Sequence, residues 1–189
     1  MDFTKVLTQV VSALDTEGIH YALIGGLAMA ARGVQRATLD IDFILLLDDL
    51  EQTHRILIAL GYQRDFHSEN VSHYQSPDPS SGRIDLLHAF RGPTLGMLDR
   101  AEKISMSDGL SLPVIHIEDL IGLKTQAAVN DPSRHRKDWN DIYMLVEHAA
   151  RVGTALDWDL IADYLSLFQL ESNLTQLKEL YGQTQSKGA

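Results

Sequence analysis

Residues 39–47, Leu-Asp-Ile-Asp-Phe-Ile-Leu-Leu-Leu, constrain what this chain can become more than any other segment. A period of two puts Leu39, Ile41, Phe43 and Leu45 on one face of a β-strand and Asp40, Asp42 and Ile44 on the other. Two carboxylates therefore project side by side from an otherwise very apolar strand. Unpaired charge in such a place is expensive, so the fold must supply something that answers it.

The neighbouring segments supply candidates. Residues 19–24 read as a strand, Gly25-Gly26 as a tight turn, and residues 27–32 as a short helix closed by Gly33. Beyond the Asp-x-Asp strand, a helix over about 48–60 ends at Gly61. Residues 71–76 and 83–88 then flank the turn-rich Pro77-Asp78-Pro79-Ser80-Ser81-Gly82, which predicts a hairpin with Asp85 on its second strand. Three carboxylates on neighbouring strands make an all-oxygen site, which suits magnesium. A glycine turn at a helix start offers backbone N–H groups to phosphate. Arg32, Arg36, Thr38 and Arg83 lie beside these motifs. Metal ions in such a site hold a triphosphate and lower the pKa of an acceptor hydroxyl, while a third carboxylate can take its proton. Asp-x-Asp alone is common on exposed strands; the joint arrangement is far more specific.

The remainder reads as helical cover. Phe3, Val6, Leu7, Val10, Val11 and Leu14 recur at helical spacing, with Gly18 as a stop. Residues 95–103 read as a helix and 104–115 as a hairpin turning at Asp108-Gly109. Strand signals stop at His116, and helices are expected over 117–129, 134–149, 157–167 and 171–181, with a frayed polar tail at 182–189. The expected organisation is a core over 1–115 and a helical C-terminal part over 116–181 that closes the cleft. In the first of these helices the apolar stripe of Ile117, Leu120, Ile121 and Ala128 runs through Lys124, so this lysine points inward. In the next, Asp138 and Asp141 share a stripe with Ile142, Leu145 and Val146. Lys124 can then clamp the two helices through an ion pair with Asp138 or Asp141. Arg134-His135-Arg136-Lys137 opposes the helix dipole by about 0.3–1 kcal/mol per charge, so it is either a solvated turn or a phosphate or RNA contact.

Composition excludes several functions. With 26 acidic against 16 basic side chains and a formal charge of -10, the chain is poorly suited to coating nucleic acid over its whole surface. The absence of cysteine excludes disulfides, Cys-ligated zinc and cysteine nucleophiles. The eight histidines show no metal-binding spacing. His88 is expected to be an ordinary structural or surface histidine rather than a cleft residue, and Trp139 and Trp158 to be core. The longest apolar run, residues 22–31, falls short of the ~20 residues a membrane helix needs. The first residues lack a secretory pattern, so the cytoplasm is the expected location.

The Gly-Gly turn, short helix, Asp-x-Asp strand and later Asp together resemble the nucleotidyltransferase superfamily, with the likeness covering roughly residues 21–88. The string Ile24-Gly25-Gly26-Leu27-Ala28, with Arg32-Gly33, Arg36, Thr38 and Asp40-Ile41-Asp42, is most similar to the branch containing AbiEii-type toxins. Lincosamide and aminoglycoside nucleotidyltransferases are similar in the same region. Lys124 followed by Arg134, Lys137-Asp138 and Asp141 resembles a downstream motif of the toxin-like branch, whose lysine approaches the nucleotide phosphates. The resemblance implies an α+β fold, with a mixed sheet packed by helices and a helical C-terminal part. It also implies an enzyme that moves a nucleoside monophosphate from a Mg2+-bound nucleoside triphosphate to a hydroxyl. Asp40, Asp42 and Asp85 would bind metal and, with Lys124, catalyse; Gly25, Gly26, Arg36, Thr38 and Lys124 would bind the nucleotide. The implied acceptor is an RNA end, tRNA-like, with a toxin role and a cognate antitoxin as partner. A cationic antibiotic is the alternative and suits the acidity of the chain, while AbiEii-type toxins are typically longer than this chain. A non-catalytic nucleotide- or partner-binding module is the third reading, and retention of all three aspartates argues against it.

Overall fold

The structure is a computed structural model that describes residues 2–106 and 109–188. The chain forms two compact units. One runs up to Ala31 and resumes over Gln35–His116; the other joins Arg32–Val34 to the chain from Ile117 onward.

The first unit opens with α1 (Phe3–Thr16), capped where the Asp2 carboxylate accepts the N–H of Lys5 at 3.1 Å. Its buried stripe is Val6, Leu7, Val10, Val11 and Leu14, as the spacing predicts. β1 (Tyr21–Ile24) is buried throughout and passes directly into α2 (Gly25–Ala31), so the two glycines form the first turn of the helix rather than a separate loop. β2 (Asp40–Leu46) starts one residue later than expected, which leaves Leu39 88% exposed instead of on the apolar face. A 3-10 turn at Leu47–Asp49 leads into α3 (Leu50–Ala59).

The expected hairpin is the later part of a three-stranded meander: β3 (Gln63–His67), β4 (Val71–Gln75) and β5 (Arg83–Ala89). All five residues of β3 are exposed, so the strand carries no hydrophobic alternation from which to read it. α4 (Gly92–Arg100) stops before Lys103, which lies instead in β6 (Glu102–Ser105), paired with β7 (Ser111–Val114). Of the turn expected at Asp108-Gly109, Asp108 lies outside the described residues.

The sheet has the order β3-β4-β5-β2-β1-β7-β6, with β2 parallel to β5, β1 parallel to β7 and antiparallel pairing elsewhere. One face is the core: Ile41, Phe43, Leu45, Tyr74, Ile84 and Leu86 are all buried, and Tyr21 meets Phe43 edge-on at 5.6 Å. The alternation of β2 and β5 turns Asp40, Asp42, Arg83 and Asp85 to the opposite face, each half-buried.

The second unit consists of α5 (Ile117–Asn130), α6 (His135–Val152), α7 (Trp158–Ser166) and α8 (Ser172–Gly188). α7 lies close to α5 because residue 122 is glycine: a Cβ there would sit 2.7 Å from the Tyr164 ring. The Tyr164 hydroxyl donates to Asp119 at 2.6 Å. Gly33, at φ +92°, is required for a similar reason, since a Cβ would run into the His148 imidazole. The tail expected to fray from residue 182 is helical to Gly188. Tyr181 anchors α8 by donating to the Thr154 carbonyl at 2.8 Å and packing edge-on against Trp158. No helix among the described residues is long and apolar enough to cross a membrane.

Candidate active site

The parallel register of β2 and β5 places Asp42 beside Asp85 and Asp40 beside Arg83. Paired residues of parallel strands project from the same face, so the three aspartates converge: one oxygen from each lies within 4.8 Å of the other two. The donor set is all oxygen and carries three negative charges, which is the chemistry of a hard divalent cation site.

Gly25 is locked against this cluster. It holds φ +67°, and a Cβ there would strike the Asp42 side chain, with Cγ at 2.7 Å and Cβ at 2.9 Å. Only glycine allows the start of α2 to come this close to the strand. A Cβ on Gly26 would in turn meet Thr38 at 2.8 Å and the Arg36 guanidinium at 3.5 Å. Thr38 donates its hydroxyl to Oδ1 of Asp40 at 2.8 Å. The structure thus gathers Gly25, Gly26, Arg36, Thr38, Asp40, Asp42 and Asp85 around one end of β2.

Two further residues act on Asp85. The Arg83 Nε donates to Oδ1 of Asp85 at 2.6 Å, and Nδ1 of His73 meets the same oxygen at 2.8 Å. The hydrogen bond to Asp85 holds the Arg83 guanidinium above its ordinary pKa, against the opposing effect of burial. His73 stands directly across the β4/β5 ladder from Asp85, and the Phe66 ring stacks on its imidazole at 5.1 Å. His73 carries no motif and was not among the sequence candidates. Counting outward from the 77–82 turn, with Gln75 opposite Arg83, would have found it.

His88 lies on the other side of the sheet, because three residues along a strand reverses the face. It is 1% exposed and joins a chain in which its ring bonds the Glu69 carbonyl at 2.9 Å and Ser72 at 3.0 Å, with His67 bonding Ser72 at 2.9 Å. Burial pushes the His88 pKa below its ordinary value. In the helical unit Lys124 is buried, as its stripe requires, with Nζ 3.1 Å from Asp138 and 2.7 Å from Asp141. Arg134 adds a second cation, its Nε 3.2 Å from Asp138. Trp139 is core, whereas Trp158 is half-buried under Lys178.

A mixed sheet that presents three converging carboxylates beside a glycine-bounded helix start defines a nucleotidyl-transferring class of protein. Residues 2–183 match the family model described as "Uncharacterised nucleotidyltransferase", and the chain belongs to that family. It is a nucleotidyltransferase. Among solved structures it is similar to the antibiotic-resistance factor ANT(2'')-Ia, with 15% identity over 97% of this chain and 100% of the other and a TM-score of 0.62. It is also similar to the lincosamide antibiotic adenylyltransferase LnuA in its lincomycin-bound form, at 15% identity over 75% and 94% with a TM-score of 0.53. An antigenic nucleotidyltransferase-like protein from Paracoccidioides brasiliensis is similar at 16% identity over 93% and 92%, with a TM-score of 0.54. At these identities the likeness is one of fold. No curated protein matches the sequence.

Proposed function

We propose that the chain moves a nucleoside monophosphate from a Mg2+-bound nucleoside triphosphate to a hydroxyl group and releases pyrophosphate. The observation that carries this reading is the convergence of Asp40, Asp42 and Asp85, with one oxygen from each within 4.8 Å of the others, against a helix start that only glycine can occupy. Magnesium bound there would reverse the local charge, so that a triphosphate is attracted, and would make the acceptor hydroxyl more acidic. Asp40, Asp42 and Asp85 would hold the ion. Gly25 and Gly26 would offer backbone N–H groups to phosphate, with Arg36 and Thr38 packed against Gly26. Asp85 would take the proton as the acceptor oxygen bonds the α-phosphorus and the α–β phosphoanhydride bond breaks. Lys124 serves the helical unit in this reading, its charge answering Asp138 and Asp141.

We take the acceptor to be a small hydroxylated cation of the aminoglycoside type. The charge of -10 attracts a cation. ANT(2'')-Ia, similar over nearly the whole chain, was solved in complex with adenylyl-2''-tobramycin. Arg134, the first residue of the basic run that would meet an RNA backbone, already engages Asp138. The test is incubation with Mg2+ and each labelled nucleoside triphosphate, offering an aminoglycoside panel and total RNA in parallel. Label on an aminoglycoside supports the assignment, and label on RNA alone overturns the acceptor. Nucleotide binding that is equally tight in EDTA overturns the metal site.

A further inference from the structure

We propose that His73 and Arg83 make the acidic site selective for magnesium over calcium, by occupying the one oxygen of Asp85 that a larger ion would need as a second ligand. The inference rests on the reading of Asp40, Asp42 and Asp85 as a metal site.

A carboxylate oxygen offers two lone-pair positions. Oδ1 of Asp85 receives Arg83 Nε at 2.6 Å and His73 Nδ1 at 2.8 Å, which fills both. Oδ2 takes no hydrogen bond among the described residues. Asp85 is thereby left with a single oxygen to offer a cation. Calcium collects roughly six to eight oxygens in a flexible shell and often takes both oxygens of one carboxylate, whereas magnesium keeps a tight octahedron of single oxygens. A carboxylate with one oxygen already committed favours the second ion.

The two donors are held by the fold, not by chance contact. Arg83 sits two residues from Asp85 on β5 and so shares its face. His73 is fixed opposite Asp85 by the β4/β5 register, and Phe66 covers its ring at 5.1 Å with the planes 28° apart. Any form of the imidazole that carries the Nδ1 proton can donate. Thr38 limits Asp40 in the same sense, with one bond to Oδ1 at 2.8 Å.

The test is calorimetric titration of the full chain with MgCl2 and with CaCl2, without nucleotide, for the wild type, His73→Phe and His73→Asn. Phenylalanine keeps a ring against Phe66 but has no donor; asparagine places an amide N–H close to where Nδ1 stood. In His73→Phe the ratio of calcium to magnesium dissociation constants should fall about fivefold or more, as Oδ1 becomes available to calcium. In His73→Asn it should stay within about twofold of wild type. An unchanged ratio in His73→Phe overturns the inference while leaving the metal site intact. A ratio in His73→Asn that matches His73→Phe also overturns it, since the ring rather than the donor would then matter. Binding of neither ion by the wild type removes the metal-site reading and this inference with it.

Discussion

Replacing Gly25 with alanine tests the core of the site in two independent ways. The first is backbone strain: at φ +67° a non-glycine residue costs about 1–2 kcal/mol. The second is steric. The new methyl would lie 2.7 Å from Cγ and 2.9 Å from Cβ of Asp42, and carbons settle near 3.5 Å, so Asp42 must withdraw by roughly 0.6–0.8 Å. Overpacking of this kind costs about 1–3 kcal/mol. The sum is about 2–5 kcal/mol, and at roughly 2–4 °C per kcal/mol for a chain of this size the melting temperature should fall by about 4–20 °C. Moving a positioned group by nearly an ångström should also reduce turnover on the order of 10²-fold. Gly18→Ala is the internal control. It has φ +68° with nothing within 4 Å of an added Cβ, so it carries the strain without the collision. Thermal melts and pyrophosphate release would be measured on both variants. If Gly25→Ala melts like Gly18→Ala and turns over like the wild type, the close approach of α2 to Asp42 has no functional weight and the argument fails.

Three other outcomes are expected. Asp85→Asn keeps an oxygen that can accept from Arg83 and His73, so it should fold normally and bind Mg-nucleotide within about tenfold of wild type. Its turnover should fall about 10²-fold or more; near-native pyrophosphate release would show that Asp85 is not the proton acceptor. Lys124→Met removes the cation that buried Asp138 and Asp141 share, with Arg134 still at Asp138, and should lower stability by about 3–5 kcal/mol in denaturant melts. Adding Asp138→Asn and Asp141→Asn should recover part of that loss, and no recovery would refute the charge argument. Burial holds His88 below its ordinary pKa of 6.5, so the unfolded chain takes up a proton before the native one does. This histidine therefore has no effect on stability well above pH 6.5 and lowers it progressively as pH falls from there toward the folded pKa. His88→Gln should flatten the dependence of melting temperature on pH between about 7 and 5, and an unchanged slope would assign the effect elsewhere.

The sequence by itself determined the elements whose information is local. Strand periodicity put Asp40 and Asp42 on one face and Ile41, Phe43 and Leu45 on the other, because alternation is a property of the extended backbone alone. Helical periodicity likewise turned Lys124 inward and put Asp138 and Asp141 on the buried stripe of α6, where the structure has them paired. The glycine turn, the Asp-x-Asp strand and the later aspartate together pointed to the family before any geometry was known. Tertiary structure decided what depends on pairing between distant segments. The exposed strand β3 has no hydrophobic pattern and exists through its ladder with β4, which also brings Phe66 onto His73. His73 reaches Asp85 only through the β4/β5 register, and His88 leaves the site because it lies an odd number of residues from Asp85 on the same strand. Leu39 belonged to the apolar face by alternation, yet it is exposed because the ladder begins at Asp40. α8 continues to Gly188 through a polar sequence, held by Tyr181 bonding Thr154 and packing on Trp158. Side-chain periodicity is written into each segment, whereas register and packing are set by where a second segment lies, and short-range pattern carries no record of that.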